Sequence, residues 1–473
     1  MTVWPTIYAL STAPYKSAIG IIRISGSHAF DVYSRLSHQQ KLPKWRTASR
    51  CVVYDPMTNE VLDKSIALLF KSPSSFTGDD VVELHVHGGN AIVAATLRAI
   101  GHVSDTHHHI KFAEPGEFTR RAFENGKLDL IEAEGINDMI NAETEEQRRN
   151  AIKVASGELS GLYENWRRSL LECRGLLEAI IDFSEDASID EDISTNAGKR
   201  ITDLKASMQQ YLDGAVRGEL LRSGIPVALL GAPNVGKSSL LNLIARRPAS
   251  IVSAEAGTTR DVIDVMLDFE GYPVLLGDTA GLRKATGEAE SQGVARAQER
   301  VRNSRIAILV ICFDKDGELE ISPESLHHFK DLADVEKIVV VNKLDLKSKM
   351  IVHNEELKEK VAAELQCQPD EVHFLSCHTR QGLDSLLLEL TQALRKTSHV
   401  PFAAGVGTSE RHRQLISDCL KHTDAGLALI SQDVVLAAEE IKAAAWEIGK
   451  LQGRSIDAAE VLGVIFGQFC IGK

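Results

Sequence analysis

The sequence predicts a chain of mixed α+β and α/β class: an N-terminal α+β domain, a discontinuous all-α helical domain, and a doubly wound α/β domain inserted into the helical one. Three observations predict it. Short apolar runs punctuated by turn signals fill the first part of the chain. Apolar residues then recur at helical spacing from about Glu117. From about Gly218 strand and helix patterns alternate, and helical texture returns near the end. The expected boundaries are 1–117, 118–217, 218–398 and 399–473.

In the first segment SAIGIIRIS (17–25), SIALLF (65–70) and DVVELHVH (80–87) read as strands, and GGNAIVAATLRAIG as the helix after the last. The stretch 118–183, FTRRAFENGKLDL through LLEAIIDF, has no Pro, few Gly and Leu, Ile and Ala at helical spacing, so it reads as long bundle helices. IPVALLG (225–231) reads as a buried strand entering a Gly-rich turn. PVLLGD, IAILVICFD, KIVVVNK and EVHFLS follow as strands with helical stretches between, the βαβ signature of a parallel sheet. After PFAAGVGTSE, RHRQLISDCLKHTDAGLALI and DVVLAAEEIKAAAWEIGKLQG read as helices. Helix, α/β unit, helix describes an insertion whose two ends lie close together.

The totals exclude several classes. At 473 residues and 44% hydrophobic the chain is long enough for more than one core. A formal net charge of −13 argues against a protein that grips nucleic acid by its overall charge; RHR (411–413) and RRNAIK (148–153) are modest basic candidates, each read first as a solvated helix face. Cys51, Cys173, Cys312, Cys367, Cys377, Cys419 and Cys470 form no CxxC pair, which points to a reducing compartment rather than a disulfide framework or a zinc site. No apolar run approaches the roughly 18 residues of a membrane span. The opening MTVWPTIYALSTAPYK carries Lys16 as its basic residue and does not read as a complete targeting peptide. THHHI (106–110) reads as a polar loop. HVH (85–87) puts two His on one strand face but offers no third ligand, so metal is not expected at either.

GAPNVGKSS (231–239) fits G-x-x-x-x-G-K-[ST], follows a strand and precedes a helix. The β/γ-phosphates are highly anionic. A Gly-rich turn aims backbone N–H groups at them, and a helix N-terminus adds positive potential. Lys237 reaches the β/γ oxygens and the Ser238 hydroxyl is a Mg²⁺ ligand. NKLD (342–345), after strand KIVVV, selects the base: Asp345 can accept from guanine N1–H and the 2-amino group, which adenine cannot supply, while Asn342 and Lys343 shape the pocket. SCH (376–378) stands where this class carries Ser-Ala-Lys; Ser376 fits, and Cys377 and His378 depart. GTTRD (257–261) supplies Thr259 as a second Mg²⁺ ligand, and Asp278 of DTAG (278–281) holds the ion through water. Four motifs in order define a Ras-like P-loop GTPase domain whose nucleotide-contacting set is Asn234, Gly236, Lys237, Ser238, Ser239, Gly257, Thr258, Thr259, Asp278, Gly281, Asn342, Lys343, Asp345, Ser376 and Cys377. Many such enzymes place a Gln after DTAG to orient the attacking water. Here Leu282 stands there, and its side chain cannot do so. Either the domain is a switch that hydrolyses poorly, or another group does that work.

GIIRISG, SFTGDDVVELHVHGG, AEPGEFTRRAFENGKLDLIEAE and the ending FCIGK, together with the inserted G domain, carry a resemblance over the whole chain. The sequence resembles the MnmE/TrmE family of tRNA-modification GTPases, mitochondrial members included. The resemblance implies a folate-binding, homodimerising N-terminal domain. It implies action with a flavoprotein of the MnmG/GidA type, adding an aminomethyl-type group to C5 of the wobble uridine of tRNA. The carbon comes from a tetrahydrofolate derivative, a 5,10-methylene or 5-formyl form. Flavin and nicotinamide chemistry falls to the partner, since no G-x-G-x-x-G follows a strand here.

The resemblance also answers Leu282. In the family the G domains pair transiently across their switch faces and K⁺ replaces an arginine finger, which implies Asn234, Ser253, Glu255 and Thr258 as K⁺ ligands. A fixed cation there offsets charge developing on the phosphates. The water falls to Glu290, with Glu288 the close competitor; from the residues alone, a Glu in TGEAE is a solvated loop charge. Arg23, Glu83, Lys127 and Lys473 match the family's folate contacts. A carboxylate such as Glu83 can pair with pterin N–H groups, and Arg and Lys favour anionic ends. Without the family Arg23 is a strand-edge charge. Cys470 is open between a nucleophile and a structural tail contact.

Two rival functions remain open on sequence: a GTP-dependent switch in ribosome or RNP assembly without folate chemistry, and a folate-dependent transferase that needs no tRNA. The opening segment looks closer to mitochondrial than to bacterial members, so a mitochondrial location is expected, with the bacterial cytoplasm as the alternative. Whether the added group is glycine- or taurine-derived is not legible.

Overall fold

The computed structural model describes residues 4–472 except 105–108, 183–186, 246–250, 254–264, 279–300, 314–318, 333–334, 347–354, 399–408, 455–461, 463–464 and 468. For residues 187–192, 216–217, 245, 251–253, 265 and 277–278 it describes the backbone alone. The chain divides into two units: Met1–Asn137 with Val154–Arg167 and Ile448–Lys473, and Asp138–Lys153 with Arg168–Glu447.

In the first unit a six-stranded sheet has the order β3-β4-β5-β2-β1-β6. Its strands are β1 (Thr6–Leu10), β2 (Ile19–Ser25), β3 (Ser49–Tyr54), β4 (Val61–Phe70), β5 (Val81–His87) and β6 (Ile110–Phe112). Neighbours are antiparallel except β1 with β6. Helices α1 (Ala29–Ser37) and α2 (Asn90–Gly101) cover one face, where Val32, Tyr33, Leu36 and Ile100 join Ile22, Ile24, Leu69 and Leu84 in one apolar core. On β2 and β5 alternate residues point into that core, as a sheet with one covered face requires. β1 does not alternate, because its other face is covered too: Ile7 and Ala9 pack on Ala113 and Phe118 of α3 (Glu117–Glu124).

The loop 71–80 between β4 and β5 is tied to α3 by a buried cation. Arg121, 1% exposed, donates to Pro5 O at 2.7 Å and pairs with Glu117 at 3.2 Å and Asp79 at 3.6 Å. Asn125 Nδ2 donates to Thr77 O at 2.7 Å. After α3 come α4 (Leu130–Asn141) and α5 (Glu145–Ala155), so the long-helix texture expected from Glu117 begins with short helices. ENGKLD interrupts it: Gly126 turns the chain at φ 63°.

The last residues return to this unit. Phe466 and Phe469 pack on Leu130 and Ala133. Ile471 bridges to Pro115, and Ser11 Oγ donates to Gly472 O at 2.9 Å. At Gly472 (φ 93°) a Cβ would stand 2.1 Å from Leu10 O, so the approach requires glycine.

The second unit holds α6 (Glu158–Asp182) from Arg168 on, α7 (Ala187–Ser223), α12 (Glu410–Leu429), and α13 (Val434–Leu451) up to Glu447. Met208, Tyr211, Ile416 and Cys419 are buried there. α7 continues past residue 217 to Ser223 and feeds β7 (Ile225–Leu230). The α/β sheet has the order β14-β13-β11-β7-β10-β9-β8, with β12 (Leu319–Glu320) on β11. Strands β7, β10 (Tyr272–Asp278), β11 (Ile306–Phe313), β13 (Glu336–Asn342) and β14 (Val372–Phe374) run parallel; β8 (Ile251–Ser253) and β9 (Val265–Phe269) complete an antiparallel edge. α8 (Lys237–Ala245) and α11 (Leu383–Ser398) pack on one face, α9 (Pro323–Asp331) and α10 (Glu355–Leu365) on the other. This is the doubly wound arrangement, and β11 is a continuous apolar run because both its faces are covered. Among the described residues no helix is long and apolar enough to cross a membrane.

Candidate functional site

The turn between β7 and α8 is set by three left-handed backbone positions: Gly231 (φ 143°), Asn234 (φ 63°) and Gly236 (φ 107°). A Cβ on Gly231 would stand 2.1 Å from Val310 O, and one on Gly236 2.1 Å from Asn342 Nδ2. Both positions therefore require glycine. Lys237 opens α8, and its Nζ donates to Gly231 O at 2.7 Å and Ala232 O at 2.8 Å. The loop's own carbonyls hold the ammonium over a helix N-terminus, where unpaired N–H groups and the helix dipole favour an anion. Ser238 and Ser239 are exposed in the first turn of that helix. This donor set fits a nucleotide phosphate. Asp278 ends β10 opposite Leu229, on the strand beside β7.

Asn342 joins this turn to the base-selecting loops. It is 3% exposed at the end of β13. Its Nδ2 donates to Val235 O at 2.8 Å, and its Oδ1 accepts from Cys377 N at 3.1 Å. Lys343 follows at φ 66° and turns the chain toward Asp345. The buried Ser376 hydroxyl donates to Asp345 Oδ1 at 2.5 Å and accepts from Thr379 N at 3.1 Å. One oxygen of an exposed carboxylate is thereby fixed, and the other is left for a ligand. Burial pushes the Cys377 thiol up to about 11, so it is an uncharged wall of the pocket. The sequence motif placed Asn342 in the pocket but gave no sign that it bridges two loops. Gly257, Thr258, Thr259, Glu255, Gly281 and Glu290 lie outside the described residues, as does Lys473; of Ser253 and Asp278 only the backbone is described.

A second constellation lies on β2 and β5. Arg23 and Glu83 are cross-strand partners. Arg23 Nε and Nη2 both stand 3.0 Å from Glu83 Oε1, and each side chain is 17% exposed. The guanidinium carbon lies 5.4 Å from the Phe76 ring centre and 5.6 Å from that of Phe118. Glu83 is therefore an oriented acceptor rather than a free charge. Its Oε2 has His85 Nε2 at 3.8 Å. A carboxylate held this way fits a ligand edge with parallel N–H donors, such as a pterin. Phe76 and Phe118 were not foreseen; their presence inside SFTGDD and PGEFTRRAF, the stretches that carry the resemblance, was the available signal. Lys127 is exposed just beyond α3, its amide bonded to Ala122 O. Cys470 is exposed in the returning tail. Of the HVH pair, His87 is bound to Asp63 and His85 faces Glu83.

The fold and the first site define a GTP-binding P-loop domain carried by a helical scaffold, in a chain that also holds an α+β domain with a charged sheet-face site. Comparison with known proteins narrows this. Residues 6–127 match the model described as the GTP-binding protein TrmE N-terminus, and 130–470 that described as the MnmE helical domain. The chain is 42% identical to tRNA modification GTPase MnmE of Parvibaculum lavamentivorans, over 99% of this chain and 100% of that one. It is 41% identical to mitochondrial tRNA modification GTPase mss1 of Schizosaccharomyces pombe, over 99% and 95%. It is 39% identical to the human mitochondrial 5-taurinomethyluridine-[tRNA] synthase subunit GTPB3, over 99% and 93%. The chain belongs to the MnmE/TrmE family and is a tRNA-modification GTPase.

Proposed function

We propose that this chain is a K⁺-stimulated GTPase that works with an MnmG/GidA-type flavoprotein. Together they use a tetrahydrofolate one-carbon unit to add an aminomethyl-type group to C5 of the wobble uridine of tRNA. One observation carries the folate part. Gly472 returns to Leu10–Ser11, one position along β1 from Ala9, the β1 partner of Arg23. Arg23 and Glu83 pair on that same sheet, which supports reading them as parts of one folate site. Within this reading Glu83 receives the pterin edge, Arg23 orients Glu83, and Lys127 and Lys473 supply cationic contacts.

For hydrolysis, Lys237 and the α8 N-terminus bind the phosphates, Ser238 and Thr259 hold Mg²⁺, and Asp345 selects guanine. Asn234, Ser253, Glu255 and Thr258 hold K⁺, which supplies the positive charge an arginine finger would bring. Glu290 orients the water in place of the group that Leu282 lacks. Homodimerisation through the N-terminal domain, with transient G-domain pairing, completes the proposed assembly. The boundaries 1–117, 118–217, 218–398 and 399–473 are proposed as its functional parts.

Relatives named as mitochondrial and relatives from bacteria match at nearly equal identity. A mitochondrial location is proposed from the opening segment. The test is GTP turnover in KCl against NaCl at equal ionic strength. Strong K⁺ stimulation supports the reading; equal rates overturn the cation's role. Binding of 5-formyltetrahydrofolate, lost in Glu83→Ala, tests the folate part, and unchanged binding overturns it.

A further inference from the structure

The sheet face opposite α1 and α2 carries its chemistry in rows. The register sets Leu68, Glu83 and Arg23 side by side, then Ile66, His85 and Ile21, then Ile19 beside His87. Lys64, two residues before Ile66 on β4, falls in the His87 row, and Arg50 on β3 stands opposite Ile66. Successive rows are about 7 Å apart, so Glu83 and His87 are separated by about 13 Å. The first row offers the oriented carboxylate. The second is apolar around His85, with Ile66 46% exposed. The cations lie at the far side of the face: Lys64 in the third row and Arg50 at the β3 end of the second are exposed, and neither has a carboxylate partner among the described residues.

His87 is held in place beside them. Its amide donates to Asp63 Oδ2 and its Nδ1 meets Asp63 Oδ1, both at 2.8 Å. Burial pushes the Asp63 carboxyl up, but the His87 amide and ring and the Lys64 amide outweigh it and hold it below the ordinary value. Asp63 thus anchors one edge of an imidazole whose side chain is 68% exposed and does not engage Nε2.

A folate has a donor edge on its pterin, an aryl ring, and then a glutamate with two carboxylates. The face offers acceptor, apolar and cation in the same order. Arg23 cannot serve the carboxylate end, since its guanidinium is committed to Glu83 and packed between two rings. We propose that Lys64 and Arg50, with the Asp63-anchored His87, bind the glutamate carboxylates of the folate whose pterin meets Glu83. The proposal rests on the folate reading above and extends it to the ligand's other end.

The test compares 5-formyltetrahydrofolate with 5-formyltetrahydropteroate, the same molecule without its glutamate, binding to the full chain by calorimetry. The wild type should prefer the glutamylated ligand. The double variant Lys64→Ala with Arg50→Ala should weaken that ligand roughly tenfold, each exposed ion pair contributing a factor of a few, and should leave the tail-less ligand unchanged. Lys64→Arg should retain the preference. Glu83→Ala should weaken both ligands. Equal binding of both ligands by the wild type, or a double variant that loses affinity for both or for neither, overturns the tail site while the pterin site stands. A wild type that binds neither ligand, with GTP binding intact, overturns the folate reading and this proposal together.

Discussion

Asn342 is the residue whose removal should reveal how the phosphate turn and the guanine loops are coupled. Asn342→Ala deletes the bonds to Val235 O and from Cys377 N and leaves both backbone groups unpaired, the first fully buried. Each unpaired buried group costs about 1–2 kcal/mol, so the variant should lose about 2–4 kcal/mol of stability. The site beside Gly236 also empties, because Asn342 Nδ2 occupies the space a Cβ there would fill. Nucleotide affinity should therefore fall by roughly tenfold or more. Asn342→Asp gives the sharper comparison. It keeps an acceptor for Cys377 N but sets an oxygen against Val235 O, so it should be no more stable than the alanine variant. Urea unfolding followed by circular dichroism reads the stability, and hydrogen exchange at the Cys377 amide reads the bond itself. A loss below about 0.5 kcal/mol, or an aspartate variant as stable as wild type, would refute the coupling.

Other outcomes follow from the same geometry. Arg121→Met should cost up to about 3–5 kcal/mol by removing the buried cation from Glu117, which keeps only the part-exposed Lys111 at 3.3 Å, and adding Glu117→Gln should recover part of it; a double variant no better than the single one counts against the pair. Burial pulls the His373 imidazole down from 6.5 to about 4. The unfolded chain then takes up its proton near 6.5 and the folded chain only near 4, so this contribution is intact above 6.5. It is lost progressively as pH falls across that window, by up to about 3 kcal/mol. His373→Asn should flatten the difference between urea midpoints at about pH 7 and about pH 5, and an unaltered difference would assign the slope elsewhere. Glu290→Ala should keep GTP binding and lose most turnover; a wild-type rate would remove Glu290 from the mechanism. Asp345→Asn should shift preference from GTP toward xanthosine triphosphate, and an unchanged preference would unseat Asp345.

What the sequence revealed about these sites depended on distance along the chain. The phosphate turn was legible because one short segment supplies the strand, both glycines, the lysine and the helix start. The Asn342 bridge was not, because its partners lie 107 and 35 positions away and are backbone groups, which leave no mark in residue type. The pairing of Arg23 with Glu83 spans 60 positions and depends on strand register, so the residues alone suggested only a surface charge. β1 escaped notice for a different reason. With both faces covered it lacks the alternation that marked β2 and β5, and at five residues it is too short for a continuous apolar run to stand out. The helical region was recognised by texture, but the breaks that divide its start into α3, α4 and α5 rest on a single turn glycine and on polar caps that periodicity does not register.

The return of the last residues to Leu10 and Ser11 bears on the order in which the chain can fold during synthesis. Ser11 and Gly472 are 461 positions apart, and every strand of the α/β sheet is made between them. At roughly 5–20 residues per second, some tens of seconds separate α3 from the segment that seats beside it. For that interval the nucleotide domain has all its strands, while Leu130 and Ala133 lack Phe466 and Phe469 as cover. A chain stalled in that window would carry a finished GTP-binding domain on an unfinished N-terminal unit. That half-made state is where a chaperone would find exposed apolar surface, and substitutions in the tail should lower yield before they alter GTP binding.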